Sequence, residues 1–370
     1  MDARPQETLE RDDRAPLSPL WMVSREPALN ELIVYLDRQR RALDGKGSQG
    51  VTLRFSRRRL ADVRAGFADT LLRGERQLHK LCELFAESLL ESQFKLSSTV
   101  FGRNPATGER FVLVRDLSRE ELYARTDLDL GNAQLERLRL AGGHGWHQPE
   151  LVANFVDYEA LAANAAGVHR VVSRIKAEEE IWNKVADEIF GLDSLVERDK
   201  QLRHLSSYVK DVFGVKIVVA DVAHARRVQA LLERLEWTPL QLRRHGIAEP
   251  AACDDVDRSA PSRLHIVEVK DYLDGDEIKA SGWQAIKSVV RWSGVPFEIQ
   301  VQTLRNHYLE RSLIAAESHE EFKARREALR NDVARRVPLF GYYRDLLHWL
   351  FCSPEAQPPS HPQVLLDLRP

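Results

Sequence analysis

The residues of this chain whose types and spacing could do chemistry are two carboxylates in apolar segments and a set of cations around them. Asp211 stands at the head of the apolar run Val215 to Val219, and Glu298 lies inside Pro296 to Thr303. Two carboxylates on neighbouring strands can hold a Mg²⁺ ion, which takes one or two protein carboxylates plus substrate phosphates. Arg174, Lys176 and Lys184 are predicted to share one helix, with Arg174 and Lys184 about 2.8 turns apart and so on roughly the same side. Such a set can neutralise a triphosphate, Arg by bidentate contacts and Lys as a point charge. Lys270, Lys279 and Lys287 could add a second cationic cluster near Glu298. Trp283 follows Gly282 and could stack on a base, a contact worth about 1–3 kcal/mol. These are the parts of phosphoryl-type transfer, where catalysis is mainly positioning and charge neutralisation.

The elements that must position them centre on residues 264–303. Leu264 to Val269 is rich in β-branched residues and reads as a strand, followed by a charged loop that Ser281-Gly282 interrupts. Ala285 to Trp292 reads as a second strand, Ser293-Gly294 as a hairpin turn, and Pro296 to Thr303 as a third strand. Alternation puts Phe297, Ile299 and Val301 on one face and Glu298, Gln300 and Gln302 on the other. Taken alone, that polar row is a solvated face, Arg174 and Lys176 are an exposed helix face, Asp211 is a turn residue and Trp283 is core.

In chain order, residues 1–25 are charged and proline-containing and read as a disordered tail. Helical spacing follows over 26–45 and 57–92, then a hairpin over 98–114. His144 and His147 lie three apart with no third ligand in view, so a plain loop is expected there and not zinc. Residues 26–149 are therefore expected to form a mostly helical domain with a hairpin, its role unknown. A second domain is expected over 150–352. It begins with helices over 150–190 and 194–210, then a strand at 215–219, a helix at 221–235 and a strand at 237–242. The three-strand block and helices over 303–316, 319–335 and 342–352 complete it, and 353–370 reads as a loose tail. The expected fold is α+β: a mixed, mainly antiparallel sheet with flanking helices, preceded by a mostly helical N-terminal region.

Composition bounds the rest. The chain has 370 residues, 43% hydrophobic and 30% charged, which describes a soluble globular protein. A net charge of -2 gives no bulk basic field, so any nucleic-acid site must be local. Cys82, Cys253 and Cys352 are too dispersed for a metal motif or disulfide framework, which fits a reducing cytosol. The N-terminus lacks the apolar core of a secretory signal, and no stretch approaches the ~20 apolar residues that span a bilayer. A cytoplasmic location without membrane contact is expected.

Taken together, these pieces resemble a known family. Lys270-Asp271-Tyr272, Lys279, Gly282-Trp283-Gln284-Ala285-Ile286-Lys287 and Glu298-Ile299-Gln300-Val301-Gln302-Thr303 resemble, in order, the motifs of the RelA/SpoT synthetase domain. Arg174-Ile175-Lys176 with Lys184 resembles that family's donor-binding helix, and Asp211-Val212-Phe213-Gly214-Val215-Lys216 its metal-binding strand. The resemblance covers residues 150–350 and implies a nucleotidyltransferase-like fold. It also implies Mg²⁺-dependent transfer of pyrophosphate from ATP to the 3′-hydroxyl of a nucleotide, the alarmone chemistry of the stringent response. Asp211 would bind Mg²⁺, and Glu298 would bind metal or activate the acceptor hydroxyl. Arg174, Lys176 and Lys184 would hold the ATP phosphates, and Lys270 and Lys279 would contact phosphates of either substrate. Trp283 would stack on the acceptor base with Gln300 beside it.

Departures from the family pattern fall mainly on the acceptor side. Lys287 stands for a histidine, Gln302 for an arginine, Glu268 for an arginine, Glu180 for a serine and Lys216 for an arginine. The acceptor could thus be GTP or GDP, an adenine nucleotide, or a tRNA 3′ end, as in toxin-like members. A tRNA would need a local basic surface, for which Lys323, Arg325, Arg326, Arg330, Arg335 and Arg336 are candidates. The competing class is an inactive nucleotide-binding sensor or partner-docking module. A homo-oligomer or a regulatory protein partner would suit either.

Overall fold

The computed structural model describes residues 18–45, 50–91, 93–142, 145–191, 209–247, 260–273, 284–315, 327–328 and 330–370. The expected helix at 194–210, most of that at 319–335, and Lys279, Trp283 and His144 lie wholly or largely outside them.

Strand alternation and one long amphipathic helix build the core. α1 (Pro27–Gly45) leads to β1 (Val51–Ser56) and α2 (Arg57–Leu89). Ser56 caps α2 by accepting from the Arg59 amide, and the helix buries Leu60, Val63, Phe67, Leu78, Leu81, Phe85 and Leu89. Its Gly74 leaves room for the sheet: a Cβ there would stand 2.1 Å from the Phe213 ring. The hairpin expected over 98–114 is β2 (Phe94–Arg103) and β3 (Arg110–Asp116). Short helices α3 (Arg119–Ala124) and α4 (Asp127–Leu135) and the small pair β4 (Leu140–Gly142) and β5 (Gly145–His147) follow.

The segment expected to be helical over 150–190 is instead two strands and a helix. β6 (Glu150–Ala160) and β7 (Val168–Ile175) precede α5 (Glu178–Ile189). The signal was in VHRVVSRI, whose β-branched residues favour a strand. β8 (Phe213–Val219) leads to α6 (Val222–Leu232). The strand expected at 237–242 is helix α7 (Pro239–Arg244), started by a Thr238–Gln241 capping box with Pro239 in its first turn. β9 (His265–Asp271), β10 (Ile286–Trp292), β11 (Val295–Thr303), α8 (Leu304–Ala315), α9 (Pro338–Phe351) and β12 (Val364–Arg369) complete the chain. Ser293 and Gly294, with φ of 48° and 79°, form the two-residue β10–β11 turn, as their sequence predicts.

One eight-stranded sheet runs β3-β2-β6-β7-β8-β11-β10-β9. Every neighbouring pair is antiparallel except β8 and β11, so the α+β, mainly antiparallel architecture holds. The division at 149/150 does not hold, because β2 and β3 extend the same sheet and α2 packs across β7 and β8. Two further corrections concern the ends. Leu20 is fully buried, so the tail expected over 1–25 is packed by that point, and β12 pairs in parallel with β1 inside the segment expected to be loose.

Candidate active site

One face of the sheet belongs to the core: Val171, Val215, Ile217, Phe297, Ile299 and Val301 are buried against α2 and its neighbours. The other face carries the chemistry in registered rows. One row crosses the strands as Arg174, Gly214, Glu298, Val289 and Glu268; the next as Asp157, Val172, Lys216, Gln300, Lys287 and Lys270. Arg174 is thus on a strand and Lys176 just beyond it, while Lys184 alone lies on a helix, α5. The expected single helix is corrected, yet the three still converge, because the Lys176 amide donates to the Val212 carbonyl at 2.9 Å and extends the β7–β8 ladder to Asp211.

Asp211 is the hub. Its Oδ2 accepts from Lys176 Nζ and its Oδ1 from Lys184 Nζ, each at 2.7 Å. Burial alone would raise its pKa, but Lys184 and Lys176 together hold it well below the usual carboxylate range. Lys176 is pushed the other way: burial brings its ammonium down to about 8 although Asp211 pulls it upward.

Glu298 Oε1 accepts from Gln300 Nε2 at 2.6 Å, and Lys287 forms an ion pair with its other oxygen. Burial lowers the Lys287 pKa, but Glu298 more than offsets this and the net shift is upward. Asp211 and Glu298 line one cleft with Arg174, Gly214, Val215, Lys216 and Gln300. Gly214 pairs with Arg174 across the antiparallel step and with Glu298 across the parallel one, and it brings no side chain into the cleft.

The departures from the family pattern have partners. Glu268 is bound by Lys270 at 3.2 Å and by Lys210, which fixes Lys270 against a carboxylate. Lys216 donates to Glu310 Oε1 at 2.6 Å, and Gln302 Nε2 lies 3.3 Å from His307 Nδ1. Glu180 lies 3.8 Å from Arg330, which is buried and held by Asp187, so Arg330 leaves the basic surface suggested for a tRNA. Arg335 and Arg336 are exposed but paired with Asp332.

Sequence reasoning missed a second polar cluster on this face. Asp157, fully buried, accepts from Thr99 at 2.6 Å and Arg311 at 2.6 Å and faces Arg170. Burial and the nearby Arg311, Lys216 and Arg170 push His307 down to about 3, so its imidazole is neutral. Reading β6 and β7 as strands would have placed Asp157 and Arg170 there. Also missed was a group on the core side: Glu75 and His79, four apart on α2, meet Asp127 at the start of α4.

No protein-family model matches the chain. No curated protein matches it either. Among solved structures, the small alarmone synthetase 1 from Bacillus subtilis, bound to its product pppGpp, is similar at 18% identity, over 46% of this chain and 82% of that one, with a TM-score of 0.24. The small alarmone synthetase 2 from Bacillus subtilis is similar at 19% identity over 50% and 77%, also with a TM-score of 0.24. A GTP pyrophosphokinase family protein from Streptococcus pneumoniae is similar at 17% identity over 51% and 73%, with a TM-score of 0.26. Among the described residues no helix is long and apolar enough to cross a membrane. The chain is therefore similar, over about half its length, to alarmone synthetases; overlap this loose carries no argument about activity, which rests on the residues of the cleft.

Proposed function

We propose that the cleft is the active site of a Mg²⁺-dependent nucleotide pyrophosphokinase of the RelA/SpoT type. One observation carries the reading: Asp211, two residues before β8, and Glu298, on the adjoining parallel strand β11, line one cleft with Arg174 and within reach of lysines 176, 184 and 287. The donor set fits a hard divalent cation, which would be held by Asp211 and Glu298 with phosphate oxygens and water completing its shell. When bound, such an ion neutralises charge on the donor phosphates. Each carboxylate oxygen now faces an ammonium or amide group, and these are the groups that turn to phosphate when a triphosphate enters.

In this reading Arg174, Lys176 and Lys184 hold the ATP phosphates. An acceptor hydroxyl attacks the β-phosphorus, the bond from that phosphorus to the bridging oxygen of the α-phosphate breaks, and AMP leaves. Glu298 takes the hydroxyl proton, which requires hydrogen-bond reach. Lys270, Lys287 and Gln300 face the acceptor; Lys279 and Trp283 keep the roles the family resemblance implies. The acceptor is a guanine or adenine nucleotide. Purified protein given γ-labelled ATP, Mg²⁺ and each nucleotide in turn should label one acceptor, and Glu298→Gln should not; label on none would refute the proposal.

Lys176 gives this reading a pH signature. In the free protein it loses its charge near 8. The kcat/KM for ATP, which reports the free enzyme, should therefore fall above about pH 8. Lys176→Arg keeps its charge throughout, so the alkaline fall should move upward by at least a unit.

A second reading has its own observation. Glu268 neutralises Lys210 and Lys270, so the acceptor side carries less free positive charge than a phosphate site needs. That favours a nucleotide-binding module without turnover. Glu268→Gln separates the two: freeing Lys270 should lower the KM for the acceptor several-fold in an enzyme. In a silent module it should tighten nucleotide binding and leave turnover at zero.

A further inference from the structure

We propose that Glu75, His79 and Asp127 form a divalent-metal site of the zinc class, on the opposite side of the sheet from the nucleotide cleft and independent of it. The three residues converge from two helices. Glu75 and His79 are one turn apart on α2, and Asp127 opens α4. One ligand atom from each lies within 4.8 Å of the others. His79 Nε2 is 2.9 Å from Asp127 Oδ1 and 4.0 Å from Glu75 Oε1.

The site is held from outside. The Asp127 amide donates to Glu75 Oε1, and Asn154 Nδ2 donates to the Asp127 carbonyl at 2.7 Å. Asn154 alternates with Phe155 and Asp157 along β6, which face the cleft side, so Asn154 and the cluster lie on the core side.

Burial makes the cluster unusual. His79 is 2% exposed, Asp127 6% and Glu75 8%, and among the described residues no lysine or arginine pairs with either carboxylate. One imidazole, 2.9 Å from Asp127 and 4.0 Å from Glu75, can supply at most one positive charge to two buried carboxylates, and a buried carboxylate left without a matching charge is costly. Two polar atoms here, Asp127 Oδ2 and His79 Nδ1, are buried with no hydrogen-bond partner among the described residues. A native structure rarely leaves such groups unmatched. A divalent ion on His79 Nε2 would bring positive charge to both carboxylates and could give Asp127 Oδ2 a partner.

The donor chemistry selects the ion. One imidazole and two carboxylates suit zinc or manganese better than magnesium or calcium, which prefer all-oxygen shells. Three protein ligands leave a position open, the pattern of a reactive and not a purely structural centre. Two of the three ligands, Glu75 and His79, also line a cavity of about 230 Å³ with Tyr123, Arg125, Thr126 and Asp129, among others. The cavity has room for water and a small anion, with Arg125 on its wall.

The test adds zinc chloride alone to the full chain after dialysis against EDTA and measures binding by calorimetry. One equivalent should bind. Asp127→Asn and Glu75→Gln, which keep side-chain volume, should each weaken binding by about 100-fold or more, while Glu298→Gln should not change it. Anomalous scattering at the zinc edge from wild-type crystals needs no variant and should place a peak among Glu75, His79 and Asp127. No binding, binding unchanged in both variants, or a peak only elsewhere would each overturn the proposal.

Discussion

Asp211→Asn should cost about 3 kcal/mol of stability and reduce pyrophosphoryl transfer by about 100-fold or more. The stability loss follows from what the substitution leaves behind. Lys176 and Lys184 each meet one oxygen of Asp211 at 2.7 Å, and all three side chains are largely withdrawn from water. An amide removes the negative charge and leaves two ammonium groups facing each other. Breaking a buried pair costs more than the pair contributes, because a buried charge is left without compensation.

The pH dependence gives the same result a second readout. The folded pKa of Asp211 is depressed, so its stabilisation is present above the unfolded carboxylate value near 4 and is lost as pH falls through the lower folded value. Urea midpoints measured from pH 6 down to pH 2 should fall for the wild type below about pH 4, and less steeply for Asp211→Asn. Equal midpoints for the two proteins at pH 6 would show that the lysines do not depend on this carboxylate.

Trp182→Ala should be the most damaging core substitution tied to the site, at about 3–5 kcal/mol. The Trp182 ring stacks on Phe351 with centroids 3.6 Å apart and also touches Phe67 at 4.8 Å. It joins α5 to both α2 and α9, and its Nε1 donates to Glu178 at 3.3 Å. Lys184 stands two residues further along the same helix. Loosening α5 therefore removes Lys184 from Asp211 as well as opening a cavity. A lowered urea midpoint with a raised KM for ATP is expected; Trp182→Phe, which keeps most of the stack, should show a smaller change in both. A raised KM without any loss of stability would mean that Trp182 acts on the cleft by some other route.

What the sequence made legible followed from strand alternation and turn chemistry. Phe297, Ile299 and Val301 against Glu298, Gln300 and Gln302 is a two-residue period, and the sheet places the two sets on opposite faces. Ser293-Gly294 has the turn residues a two-residue hairpin requires. That Asp211 and Glu298 meet in one cleft was legible because one heads an apolar run and the other interrupts one. Residues 150–175 were misread because Glu, Leu and Ala in β6 suit a helix locally, and only pairing with β2 makes a strand of them. That error hid Asp157 and Arg170 and put Arg174 on a helix. The partners of Glu268 and Lys216 could not be read from the chain, since Lys210 and Glu310 reach them only through the folded sheet. The separate N-terminal domain was an error of the same kind: β2 joins β6 through contacts more than forty residues apart in sequence, which no local pattern encodes.

Asp211 and Glu298 are proposed to serve transfer of a pyrophosphoryl group. The most direct test gives the protein ATP labelled at the α-phosphorus in one sample and at the γ-phosphorus in another, with Mg²⁺ and each guanine and adenine nucleotide. γ-Label on one acceptor and α-label only in AMP, in equal amounts, are expected, with neither product from Glu298→Gln. Label from the α-phosphorus on the acceptor, or no AMP with any acceptor while ATP remains bound, would contradict the proposal.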